Sequence, residues 1–103
     1  MAYNVIASDS ANNDLEEILT YIAETLMNPR AAANFADALD EKYETLETHP
    51  LIFELSRNDQ LAKKGYRRFV GGNYVALYTV DEERNEVTIA RIFYGGRNYQ
   101  KYV

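Results

Sequence analysis

Apolar residues recur at two different periods along this chain, one in each half. Between Ala11 and Met27, Leu15, Ile18, Leu19, Ile22 and Leu26 stand three or four positions apart, with Asp14, Glu16, Glu17 and Glu24 between them. That spacing predicts an amphipathic helix. It ends near Met27, because Pro29 disfavours helical geometry at Asn28 and has no N–H to continue the ladder. Asn28 then caps a second helix, about Pro29 to Thr48, whose stripe is Ala32, Phe35, Ala36, Leu39, Tyr43 and Leu46 and which stops at His49-Pro50. Before the helices, Tyr3 to Ala7 is short and rich in strand formers, and it ends at Ser8-Asp9-Ser10, a cluster of helix caps.

From Gly65 the period becomes two. Tyr66 to Val70, Tyr74 to Val80 and Glu86 to Tyr94 are separated by turn residues at Gly71-Gly72-Asn73 and Asp81 to Asn85, the pattern of a three-stranded antiparallel meander. Leu51 to Lys64 is expected to be an irregular connection anchored by Leu51, Ile52, Phe53, Leu55 and Leu61. The predicted class is α+β: an N-terminal strand, an antiparallel two-helix hairpin, then the meander, with the helices packed on one face of a single, mostly antiparallel sheet. The first strand joins that sheet at an edge or lies between its members.

At 103 residues the chain makes one domain, 1–103, with a modest core. No apolar run approaches the roughly 20 residues that span a bilayer, so a cytoplasmic protein without a membrane partner is expected. Zero cysteines exclude thiolate chemistry and cysteine-bound metal. One histidine, His49, at a helix end, speaks against a zinc or Ser-His-Asp site, and no metal or other cofactor is expected.

Charge changes the picture once it is divided. Residues 1–64 hold five Lys/Arg against twelve Asp/Glu, whereas 65–103 hold six against four, and all four of those acids lie between Asp81 and Glu86. A local anionic partner is thereby compatible with a net charge of −5. The candidate cations are Arg67, Arg68, Arg91, Arg97 and Lys101, interleaved with Tyr66, Tyr74, Tyr78, Tyr94, Tyr99 and Tyr102. Cations bind phosphate oxygens and phenol rings stack on unpaired bases, so these residues are sought on the open face or rim of the sheet; tyrosine is also a good strand residue, and for Tyr74 and Tyr78 packing in the core is the favoured reading. Arg91 shares strand parity with Val87, Ile89 and Phe93. Either that face is open or Arg91 reaches an acid at the rim, since a buried unpaired guanidinium costs too much. Arg97, after Gly95-Gly96, is the leading functional cation.

Tyr3-x-Val5, Ser8-x-x-Ala11-x-x-Asp14-Leu15, Tyr21-Ile22-Ala23, Asn28-Pro29, Gly65-Tyr66-Arg67-Arg68, Asn73-Tyr74-Val75 and Val87-x-Ile89-x-Arg91-Ile92-x-Tyr94-Gly95-x-Arg97 occur in this order over nearly the whole chain. Together they resemble the RelE/ParE superfamily of type II toxin-antitoxin toxins, which includes plasmid stabilisation proteins. The resemblance implies a small toxin held by a cognate antitoxin. It puts metal-independent cleavage of mRNA on the ribosome, an endoribonuclease activity that inhibits translation, ahead of inhibition of DNA gyrase; a binding-only member is the third reading. For cleavage, Arg67, Arg91 and Arg97 would stabilise the added negative charge on the phosphate, and Tyr94, Tyr99 or Tyr102 would supply a proton. Arg68, Lys101 and Tyr102 would hold nucleic acid. Tyr94 occupies a position where RNA-cleaving members often carry His, Phe69 and Val70 one where several carry lysines, and Asn98 one where Asp is frequent.

Overall fold

The computed structural model describes residues 2–95 and 102–103. β1 (Asn4–Ala7) leads into α1 (Asp9–Thr20), which a π-helical segment, Tyr21–Thr25, extends; α2 (Pro29–Thr48) and the short α3 (Asp59–Lys63) precede β2 (Arg67–Val70), β3 (Tyr74–Asp81) and β4 (Glu86–Tyr94). The sheet order is β1-β4-β3-β2. β2, β3 and β4 form the expected antiparallel meander, and β1 pairs parallel with β4, Asn4 opposite Glu86 through Ala7 opposite Ile89. The helical hairpin carries the chain across the sheet from β1 to β2 at the far edge, and the meander returns it to β4, which makes the long connection that a parallel neighbour requires.

Each start signal acts as the sequence suggests. Ser8 Oγ accepts from Ala11 N–H and Asn28 Oδ1 from Ala31 N–H, so both long helices are capped. The first helix stops close to Met27 as expected, but not as a regular α-helix. Its last residues widen into the π-helical segment, and Met27 takes a left-handed conformation (φ 51°) with its side chain in solvent. The helices pack on one sheet face: Ile18, Ile22, Phe35, Leu39 and Leu46 meet Phe69, Tyr74, Ala76, Tyr78, Val87, Ile89 and Ile92. Tyr74 and Tyr78, the two candidate rings for which packing in the core is the favoured reading, are core residues, 3% and 0% exposed. Tyr78 donates from its hydroxyl to the Pro50 carbonyl at 2.8 Å.

The segment 51–64 is more ordered than an irregular connection. Arg68 N–H donates to Glu54 O and Ser56 N–H to Tyr66 O, so residues 54–56 run along the outer edge of β2. Asn58 caps α3 through Leu61 N–H. Val103 returns to this edge, its carbonyl accepting from Ser56 Oγ and Arg57 N–H.

Candidate target-binding site

β4 changes phase partway along. Its register against β3 shifts between Leu77 and Tyr78, which face Arg91 and Ile89, so Ala90 is an extra residue. This bulge inverts the alternation: Val87 and Ile89 point to the helices, and after it Ile92 does so while Arg91 turns outward. Arg91 is therefore not on the face its parity indicates. Of the two alternatives left open, the acid at the rim is the one found. Arg91 Nε and Nη2 donate to Asp14 at 2.7 and 3.1 Å, and the same carboxylate accepts Ile92 N–H at 2.9 Å. Ser8 adds a second stitch, donating from Oγ to Ala90 O at 2.9 Å. β1 stops opposite Ile89, so the first turns of α1 take over from it along the β4 edge.

Beyond that point the edge borders a groove of about 450 Å³ lined by Asp14, Glu17, Tyr21, Arg91, Phe93 and Tyr94. Arg91 also lies over the Phe93 ring, 5.3 Å from its centroid. Tyr94 is half-buried, edge-on to Phe35 and Tyr21 at 5.7 and 6.3 Å. Because Gly95 N–H donates to Asn73 O and Tyr74 opposes Tyr94, the backbone groups of Ile92 and Tyr94 point away from β3, toward this groove. A groove with an arginine, three aromatic rings and a strand edge is furnished to hold a chain segment.

The remaining candidates are not gathered here. Arg67 pairs with Tyr78 and shares its face, donating from Nη1 to Phe53 O at 2.7 Å. Arg68 lies on the opposite face, 4% exposed, with Nη1 2.6 Å from Glu54 Oε1. Arg68 and Arg91 both flank Leu77 across the ladder, so two of the three candidate arginines among the described residues share a face and the third does not. Tyr102 is 62% exposed. Arg97, Tyr99 and Lys101 lie outside the described residues, as do the Asn98 position and the glycine at 96. Among the described residues no group of three or more His, Cys, Asp or Glu is placed to hold a metal ion, and no helix is long and apolar enough to cross a membrane.

Sequence reasoning missed Asp14, Ser8 and Glu54 as partners of this sheet. Asp14 sits among the polar positions of an amphipathic helix, and nothing in its local pattern separates it from Glu16 or Glu17. The spacing Ser8-x-x-Ala11-x-x-Asp14 is the one available signal, because it sets a cap and an acid on the first two turns of α1.

Residues 5–99 match the family model for the ParE toxin of type II toxin-antitoxin systems, parDE. Similar solved structures include the toxin-antitoxin complex RelBE2 of Mycobacterium tuberculosis, at 23% identity over 91% of this chain and 92% of that one, with a TM-score of 0.65. The chromosomal ParDE system of P. aeruginosa matches at 18% identity over 92% and 98%, TM-score 0.70. The archaeal RelE-RelB complex of Pyrococcus horikoshii matches at 19% identity over 94% and 99%, TM-score 0.54. At these identities the likeness is one of fold. Among curated protein sequences none matches the chain.

Proposed function

The chain belongs to the ParE toxin family of type II toxin-antitoxin systems, and from that premise we propose that it stops its target by holding it, with DNA gyrase as the target, rather than by cutting mRNA. The observation that carries this reading is the dispersal of the candidate arginines among the described residues. Stabilising a pentavalent phosphate needs donors converging on one point within hydrogen-bond reach. Arg67 is committed to the Phe53 carbonyl on the helix face, whereas Arg68 and Arg91 are paired with Glu54 and Asp14 on the other. Tyr94, the candidate proton donor on β4, has its ring packed among Phe35 and Tyr21. The order of the two mechanisms implied by the family resemblance is thereby reversed.

A cognate antitoxin is the second partner. The groove beside β4 suits it: a short extended segment can use the Ile92 carbonyl and Tyr94 N–H, and an acid on it can approach Arg91. The toxin is then silent while that segment is bound. The reading is tested by adding purified toxin to gyrase and, separately, to translating ribosomes. Gyrase stalled on cleaved DNA with intact transcripts supports it; transcripts cut in the ribosome with gyrase unaffected overturns it.

A further inference from the structure

The two outer strands of the sheet end differently. At β2 the outer edge is taken, since residues 54–56 hydrogen-bond along it. At β1 it is open. Asn4 N–H donates to Asn85 O and Ser8 N–H to Ile89 O, so the even-numbered residues here turn their backbone groups toward β4. The alternation sends the N–H and C=O groups of Val5 and Ala7 the other way, where they have no hydrogen-bond partner among the described residues. Only the start of the edge is closed, by Tyr3 N–H donating to Glu47 O at 2.7 Å. Side chains follow the same alternation: Val5 and Ala7 pack against the core, whereas Ile6 faces away from it and is 42% exposed. An open edge beside an exposed apolar side chain is a template for another strand, and proteins usually blunt it with a charge, a proline or a bulge. None of these stands between Tyr3 and Ser8.

We infer that this edge binds a second copy of the chain, the two β1 strands pairing antiparallel with Ile6 on the two-fold axis. In that register Val5 of each copy lies opposite Ala7 of the other, and the open backbone groups of both residues find their complements. Ile6 meets the second copy's Ile6 as a close, non-hydrogen-bonded pair, which takes two exposed apolar side chains out of water together. Charge favours the same contact. Each copy carries a net charge of −5, so two copies repel over most of their surface and approach most easily at a strand without charge. That strand offers no charge by which to choose a foreign partner, whereas its donors, its acceptors and Ile6 are matched by their own copy. The contact is isologous and the β2 edge is covered, so assembly stops at the dimer. None of the residues lining the β4 groove belongs to β1, so the inference does not depend on which target the toxin holds.

The test is light scattering by the purified toxin from about 10 μM to about 1 mM, with amide hydrogen exchange read at Val5 and Ala7 over the same range. The mass should rise with concentration from 11.8 kDa toward twice that value. The two amides should exchange about tenfold more slowly in the dimer than in the monomer. Added salt should favour the dimer, because it screens the repulsion between like-charged copies. Ile6→Glu sets like charges opposite each other across the axis, so it should keep the circular dichroism spectrum and stay monomeric throughout. A wild type that stays monomeric overturns the inference. So does a dimer whose Val5 and Ala7 amides exchange as fast as in the monomer, or a folded Ile6→Glu that still dimerises. If Ile6→Glu does not fold, the wild-type amides decide alone. Protection of those amides at every concentration overturns the openness of the edge. Protection that appears only when the antitoxin is added to a monomeric toxin gives the edge to that partner and overturns the second copy.

Discussion

Asp14→Ala is the perturbation that most directly probes how the site is held. Asp14 is 14% exposed at its side chain and accepts three hydrogen bonds, two from Arg91 and one from Ile92 N–H. Removing the carboxylate has two separable costs. Arg91, 49% exposed, returns to water, so loss of the ion pair costs about 0.5–1 kcal/mol. Ile92 N–H is left in a half-buried place without its acceptor, which costs about 1–2 kcal/mol. The sum is about 1.5–3 kcal/mol, or a fall in melting temperature of about 6–24 °C for a domain this size. Asp14→Asn keeps an oxygen for Ile92 N–H and loses mainly the charge, so it should cost about 1 kcal/mol. Thermal and urea unfolding followed by circular dichroism read both. The reasoning fails if Asp14→Ala lies within about 0.5 kcal/mol of wild type, or if Asn is as damaging as Ala.

Two further outcomes follow from the buried tyrosines. The hydroxyls of Tyr43 and Tyr74 are buried without a hydrogen-bond partner among the described residues, so Tyr43→Phe should be neutral or stabilising in urea unfolding, because it removes an unsatisfied polar group; a loss above about 1 kcal/mol would contradict that. Burial pushes the phenols of Tyr43 and Tyr78 up to about 12, from an ordinary value of 10.0. A phenol raised in the folded state contributes stability that is complete below pH 10 and lost as pH rises toward 12. Phenolate absorbance should therefore show these two tyrosines ionising with unfolding, not before it; early titration of all the rings in a folded protein would refute their burial.

The elements were legible because their signals are local. The helix stripes, the Ser8 and Asn28 caps and the meander turns each lie within a few residues, and the structure places them where those residues indicate. The short α3 also had its cap at Asn58 and a left-handed glycine behind it at Gly65, but five helical residues make too short a stripe to recognise. The parallel seat of β1 beside β4 had no turn to announce it. The site was less legible for a physical reason. One extra residue at Ala90 inverts every side chain after it, and alanine carries no mark of a bulge. The partners of the arginines lie far off in sequence: Asp14 is 77 residues from Arg91, and Glu54 is 14 from Arg68. Cations could be counted from the sequence; which of them converge could not.

The central claim, that this ParE-family toxin holds its target rather than cutting RNA, is tested most directly by gyrase supercoiling of closed circular DNA with purified toxin present. The account predicts that supercoiling stops and that linear DNA appears once the enzyme is denatured, with added mRNA on ribosomes left intact. Unimpeded supercoiling together with cut mRNA would contradict it.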